Sequence, residues 1–233
     1  MSLYYTMFDS TYILVIIGAV ICLAASSRVK STFAKYSKVR SARGMTGREA
    51  AERILSSQGL GDVQVMHVSG SLTDHYDPRT RTVNLSDATY NQNSVAAVGV
   101  AAHECGHAIQ HQQAYGPLTI RTAIVPLANF GSMAAWPLII LGLFIGGSSS
   151  SLFINLGILA FSLSVLFQVV TLPVEFNASS RAVRLLGDTG ILGQDELKGT
   201  KAVLSAAALT YVASAAASLL QLLRLLMIAS RRD

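Results

Sequence analysis

The sequence predicts a mainly α-helical membrane protein: a bundle of three or four transmembrane helices with a small α+β domain on the cytoplasmic side, one helix of which carries paired histidines. Three observations predict it. Of 233 residues, 51% are hydrophobic and only 13% charged, where soluble domains carry about 25% charge. The apolar residues gather in runs long enough to cross a ~30 Å hydrocarbon core, which takes about 20 helical residues. Between the first and second runs lies a more polar stretch, residues 45–117, patterned as helix, strands and helix.

The first run, Tyr12–Ala25, is extended by Leu3–Ser10. A secretory signal carries basic residues ahead of its apolar core. Here residues 1–10 have none, and Arg28, Lys30, Lys35, Lys38, Arg40, Arg43 and Arg48 follow the run. That is the pattern of an uncleaved anchor over residues 1–27, with the N-terminus outside and the next segment in the cytoplasm.

Residues 28–118 form the α+β domain. Thr46 is placed to cap a helix that ends by Gly59, with Ala50, Ile54 and Leu55 as its apolar stripe. Val63–Val68 alternates like a strand, and Asp77-Pro78 signals a turn before the β-rich run Thr80–Leu85. These read as a hairpin or two short paired strands, and the Thr80–Leu85 strand offers an edge to an extended peptide. A helix capped by Asn93 or Ser94 follows and contains "VAAHECGHAIQH".

Residues 119–172 read as a transmembrane hairpin: Ile120–Ile145, the uncharged turn Gly146–Ser151, and Leu152–Leu172. So short a turn makes the two spans antiparallel, and both outer ends face the cytoplasm. Residues 173–201 are then a cytoplasmic segment, in agreement with Arg181, Arg184, Lys198 and Lys201. Residues 202–233 are a fourth transmembrane or bundle-packed helix. Ala202–Ala229 is Ala- and Ser-rich, which suits close helix packing. Crossing the bilayer would leave Arg231 and Arg232 outside, against the positive-inside trend, so a helix buried in the bundle or lying at the interface stands beside the spanning one. The whole is a multi-pass cell-membrane protein whose site faces the cytoplasm and whose first partner is the lipid bilayer.

The net charge of +5 fits cytoplasmic-side positives. No basic, aromatic-rich surface motif points to nucleic acid. Cys22 and Cys105 belong to different elements and form no disulfide framework. Intramembrane charge is sparse, essentially Arg224, which argues against a transporter or channel.

The chemistry sits in H-E-x-x-H. His103 and His107 are four apart, which on a helix is about 6 Å of rise and ~40° of rotation. Both imidazoles face one side and reach one ion at about 2.0–2.1 Å. Glu104, rotated ~100° from His103, is offset for ligation but placed to act on water as a general base. Five histidines and five glutamates in this chain would produce the motif by chance in roughly a few sequences per thousand. Two ordinary histidines on a helix are therefore the weaker reading. Cys105 points off the site, about 200° around the helix from each histidine, and reads as packing. His111 stands ~12 Å along the axis from His103, too far to share the ion. The longer H-E-x-x-H-x-x-G-x-x-H pattern is broken by Gln110 and Gln113.

A catalytic zinc takes three protein ligands and leaves a position open. "LPVEFNASSRA" offers Glu175 directly after the third span. Pro173 suits the first turn of a helix, which would put Glu175 and Ser179 on one face. The bland reading is a helix-start carboxylate. Against it, Glu175 and the histidine helix adjoin the same membrane face, at one depth. His75 and Tyr76 lie in the turn region before the histidine helix, where either could donate to an oxyanion; Asp-rich turn structure is the alternative. Arg181 could do the same or form an ordinary ion pair.

"GSLTDHYDPRTRTVNLSDATY", "SVAAVGVAAHECGHAIQH", "LPVEFNASSRAVRLL" and "KAVLSAAALTYVASAAASLL" together resemble the bacterial neutral zinc membrane metallopeptidases, the YugP-like family, from about Tyr4 to Leu223. The H-E-x-x-H core is shared by many zincins; the flanking stretches are much more specific. The resemblance implies a membrane-embedded, gluzincin-type metallopeptidase with a zincin-like α+β domain and Zn2+ as cofactor. His103 and His107 match the ligand histidines and Glu104 the catalytic glutamate. A more distant likeness to HtpX-type and prenyl-protein peptidases gives Glu175 the place of the third ligand. In those proteins an aspartate follows four residues on, as a supporting group; here that position is Ser179. Asn177 stands where the family stretch commonly has an acid.

The expected function is a zinc metalloendopeptidase that cleaves a peptide or membrane-protein substrate at the cytoplasmic face, with Glu104 as base. The rival is a zinc-stabilised membrane scaffold without turnover, which would have no need of Glu104.

Overall fold

A computed structural model describes residues 10–145 and 149–230. The part of the first apolar run before Ser10, residues 146–148 of the expected turn, and Arg231 and Arg232 lie outside the described residues.

In chain order the elements are α1 (Tyr12–Tyr36), α2 (Gly47–Ser57), β1 (Gln64–His67), β2 (His75–Asp77), β3 (Thr82–Leu85), α3 (Val95–Gln112), α4 (Gly116–Ile145), α5 (Ser149–Asp188) and α6 (Gln194–Ser230). Helices dominate and the single described sheet has three short strands. Four of the described helices, α1, α4, α5 and α6, are long and apolar enough to cross a membrane. The fold is a mainly α membrane class with a small α+β part.

Two compact units divide the chain. One comprises Ser26–Thr119 with Pro173–Leu209. Its centre is α3, whose residues Val95–Gly99, Ala101, Ala102, Cys105, Ala108 and Ile109 are buried. Small residues make that possible. A Cβ on Gly99 would lie 2.8 Å from Thr200 Cγ2, and one on Gly106 would lie 2.7 Å from the Ala178 carbonyl oxygen. These two glycines let α6 and α5 come close on α3. Around them Ile54 and Leu55 of α2, Val83 and Leu85 of β3, and Leu186 and Ile191 complete one hydrophobic core. Burying each large aliphatic side chain contributes about 1.5–3 kcal/mol.

Local signals set the ends of the two shorter helices. Thr46 accepts from Glu49 N, and the Glu49 carboxylate accepts from Thr46 N, a reciprocal cap on α2. Of the two expected caps for α3, Ser94 is the one used, accepting from Ala97 N.

The sheet differs from expectation. β3 is its middle strand, in the order β1-β3-β2. β2 pairs antiparallel with β3, Tyr76 opposite Val83, around a turn in which Asp77 Oδ1 accepts from Arg79 N and Arg81 has φ +55°. β1 pairs parallel with β3, Val65 opposite Val83. The edge expected of Thr80–Leu85 is therefore not there, because β1 and β2 take both of its sides. The alternating segments marked β1 and β3, but not β2 in the turn region between them, nor which neighbour each strand would choose.

The other unit comprises the described residues up to Ala25, those of Ile120–Leu172, and those from Thr210 onward. Ile139, Ile154, Ile158 and Leu225 form its buried cluster. Gly131 and Gly142 of α4 lie against α5, where a Cβ would meet the Ala160 carbonyl oxygen and, at 2.7 Å, Ile154 Cγ1. Large apolar side chains point outward: Val20, Leu23, Phe130, Met133, Phe144, Leu159 and Leu219 are all exposed. A water-soluble unit would bury such groups, whereas hydrocarbon solvates them. From Thr210, α6 rises about 30 Å to Ser230, the depth of one bilayer core.

Two boundary expectations change. Helix α5 begins at Ser149, so Ser149–Ser151 are helical and not part of the turn. Pro173 does not open a new helix; it lies inside α5, which runs unbroken from Ser149 to Asp188. A proline in this position removes the hydrogen bond to the carbonyl four residues earlier, but its fixed φ is helical. The helix continues because Val174, Ala178 and Ala182, on the far side of the proline, are fully buried. Residues 173–201 are accordingly two helix ends around a short turn at Gly190 (φ +62°).

Candidate metal centre

The residues of the centre come from two helices in one unit. Helix α3 supplies His103 and His107 on successive turns, with Glu104 directly after the first, and α5 supplies Glu175. The absent side chain at Gly106 allows the backbone of α5 at Ala178 to pack directly on α3. Glu175 sits one turn before that contact.

The geometry is tight. Glu175 Oε2 lies 3.4 Å from His103 Nε2 and 3.6 Å from His107 Nε2. One ligand atom from each residue can be chosen so that all three lie within 4.8 Å of one another. Ligands about 2.0–2.2 Å from a tetrahedral ion sit roughly 3.3–3.6 Å apart, so the two separations fit zinc. The Glu175 side chain is 4% exposed, yet its Oε2 has no hydrogen-bond partner. A buried carboxylate oxygen left so would cost about 1–3 kcal/mol or more; a cation shared with the two imidazoles removes that cost. Two nitrogens and one oxygen are donors zinc accepts.

The electrostatics agree. Glu175 lies beyond the apolar run of α5. Burial alone would raise its pKa, but the His103 and His107 rings outweigh burial and hold it well below the usual carboxylate range. For His107 burial alone favours the neutral ring; Glu175, Glu104 and Gln110 act against that and raise its pKa. Glu104 is itself buried, 7% exposed. Cys105 is turned away, its Sγ 3.7 Å from the Ala51 carbonyl oxygen, and burial pushes its thiol far up. It is a packed, protonated thiol.

The other singled-out residues differ in what they touch. Ser179 Oγ is 3.1 Å from His103 Nδ1. Arg181 Nε donates to Asn177 Oδ1 at 2.7 Å and its Nη1 to Gln113 Oε1 at 2.7 Å, with the guanidinium over the Tyr115 ring. Tyr76 shares a 2.9 Å hydrogen bond with His111 Nδ1, on the last turn of α3. His75 Nδ1 donates to the Thr73 carbonyl at 2.9 Å, within its own loop. The structure thus brings Ser179 onto a candidate ligand, Arg181 onto a neighbour of the site, and Tyr76 and His75 onto neither His103 nor His107.

Gln110 is the residue that motif reading passes over, since it figures there only as a break in a longer pattern. It is fully buried and its Oε1 lies 3.0 Å from His107 Nδ1. The available signal was its place three residues beyond a ligand on the same helix, where side chains are neighbours.

The chain matches the family described as "Putative neutral zinc metallopeptidase" over residues 11–230. It is 53% identical over 204 residues to the "Putative membrane protease YugP" of Bacillus subtilis (strain 168), an alignment covering 88% of this chain and 89% of that one. No solved structure matches it significantly. The family and the His-His-Glu cluster make zinc the cofactor, and the membrane-protease relative with the four long apolar helices makes the protein membrane-associated. By a match that spans nearly all of its length, the chain belongs to the neutral zinc metallopeptidase family.

Proposed function

We propose that the protein is a multi-pass zinc endopeptidase that hydrolyses peptide bonds at the cytoplasmic face of the cell membrane. His103, His107 and Glu175 hold the metal and Glu104 is the general base. The observation that carries this reading is the placing of Glu175 Oε2 at 3.4 and 3.6 Å from the two Nε2 atoms, with buried Glu104 next in sequence to His103.

Bound zinc supplies a Lewis acid that acidifies water and polarises a carbonyl oxygen. Glu104 takes a proton from the attacking water and returns it to the leaving amine. The buried setting of Glu104 strengthens its field on that proton. An extended peptide is held by main-chain hydrogen bonds to a strand edge. With β3 enclosed, the edge proposed for this is β2, which also carries Tyr76 and so touches α3 at His111. The cytoplasmic placing rests on the basic residues that follow the first apolar run.

Glu104→Gln tests the reading. The side chain keeps its size and loses its basicity. Zinc content is expected to stay at one ion per chain while cleavage of casein falls at least about 100-fold. Undiminished cleavage would contradict the assigned role, and a scaffold without turnover would show no metal-dependent cleavage in either protein.

A further inference from the structure

We infer that Gln110 is a positioning residue that locks His107 in the tautomer whose Nε2 lone pair faces the metal, and that Asn177 and Arg181 fix Gln110 in turn. This rests on His107 being a zinc ligand, as proposed above. The Val174 backbone carbonyl is an acceptor and nothing else, and Gln110 Nε2 lies 2.8 Å from it. The amide NH2 must therefore point at Val174, which leaves Gln110 Oε1 to face His107 Nδ1 at 3.0 Å. An amide oxygen only accepts. Hence Nδ1 carries the proton and Nε2 presents its lone pair towards Glu175 Oε2 and the ion.

The same logic extends outward. Arg181 only donates, so its Nε at 2.7 Å sets Asn177 Oδ1 as the oxygen of that amide. That oxygen is the second acceptor for Gln110 Nε2, at 2.9 Å. Each flippable group is thus oriented by a group that cannot flip. The contact also joins the two ligand-bearing helices, because Val174 is the residue before Glu175. His103 has no equivalent: its Nδ1 meets the Ser179 hydroxyl, which can donate or accept. Gln110 is therefore the stricter control on ring orientation, and no substrate need be present for it to act.

The test measures zinc affinity by chelator competition on the full-length protein in detergent, at fixed pH. Gln110→Met keeps the volume and removes the acceptor and the donor. Zinc affinity is expected to fall 10–100-fold, the usual cost of removing a partner behind a metal ligand. Gln110→Glu, protonated on the oxygen that faces the Val174 carbonyl, keeps both an acceptor for the His107 N–H and a donor to Val174, and is expected to recover most of the loss. A Gln110→Met loss smaller than tenfold would overturn the inference. So would equal losses in the two variants, the mark of a packing role. If Gln110→Met does not accumulate as folded protein, the Gln110→Glu variant paired with Asn177→Leu carries the test: Asn177→Leu is expected to weaken zinc binding at least threefold, and unchanged affinity would overturn the relay. Failure of the metal-site reading looks different, since the parent protein itself would then bind no stoichiometric zinc.

Discussion

Ser179 Oγ lies 3.1 Å from Nδ1 of His103, which puts the residue one turn beyond Glu175 behind the other helix's first histidine. The HtpX-type motif has an aspartate at this place. A hydroxyl accepts the imidazole N–H less strongly than a carboxylate does, since charged acceptors form the stronger bonds. Ser179→Ala removes one hydrogen bond worth about 1 kcal/mol and is expected to lower zinc affinity about fivefold by chelator competition. Ser179→Asp is expected to match or exceed the parent. An unchanged affinity in Ser179→Ala would show that the contact does not support the ligand.

Gly106→Ala tests how the two helices are held together. In an exposed helix the change would gain about 1 kcal/mol from helix propensity. Here the new Cβ would stand 2.7 Å from the Ala178 carbonyl oxygen and 3.1 Å from its Cα. Those are backbone atoms, which cannot swing aside as a side-chain end can. Overpacking of this kind costs about 1–3 kcal/mol, so destabilisation wins. The expected result is a lower melting temperature together with weaker zinc binding, because Glu175 is on the helix that is pushed away. A melting temperature at or above the parent's would contradict this packing.

Metal-free and zinc-bound protein should respond to pH in opposite ways. Glu175 has a lowered pKa, so its contribution is present above the ordinary carboxyl value of about 4.3 and is lost as pH falls through the lower folded value. His107 has a raised pKa, so its contribution is complete below about 6.5 and is lost as pH rises through the folded value. The metal-free site therefore contributes most between roughly pH 4.5 and 6.5. Zinc requires a neutral imidazole, and its binding displaces the proton. The rise in melting temperature on adding zinc is expected to be larger at pH 8 than at pH 6. Equal rises at the two pH values would argue that no ligand proton is displaced.

Much of this was legible in the sequence, for identifiable reasons. His103, Glu104 and His107 carry their geometry in their spacing, because a helix fixes rise and rotation per residue. The four long apolar helices follow from length and composition, as lipid admits little else. Thr46 and Ser94 announce helix starts because their side chains satisfy backbone donors that nothing else reaches. Other features depend on contacts between segments distant in sequence. The parallel pairing of β1 with β3, and hence the enclosure of β3, depends on packing against α2 and α3 that no four-residue strand encodes. Pro173 reads as a helix start because local stereochemistry favours it there, while burial of Val174, Ala178 and Ala182 carries the helix through. Gln110 is silent in a motif because a neutral amide becomes meaningful only when the Val174 carbonyl, 64 residues on, comes within 2.8 Å.

The measurement that bears most directly on the joint grip of two imidazoles and one carboxylate is the zinc content of purified parent and Glu175→Ala proteins after dialysis against a weak chelator. The account predicts one zinc per chain in the parent and a loss to well below one in the variant, with the helical circular dichroism of the two unchanged. Equal zinc in both, at equal affinity, would contradict it, because the ion would then be held without the carboxylate of α5.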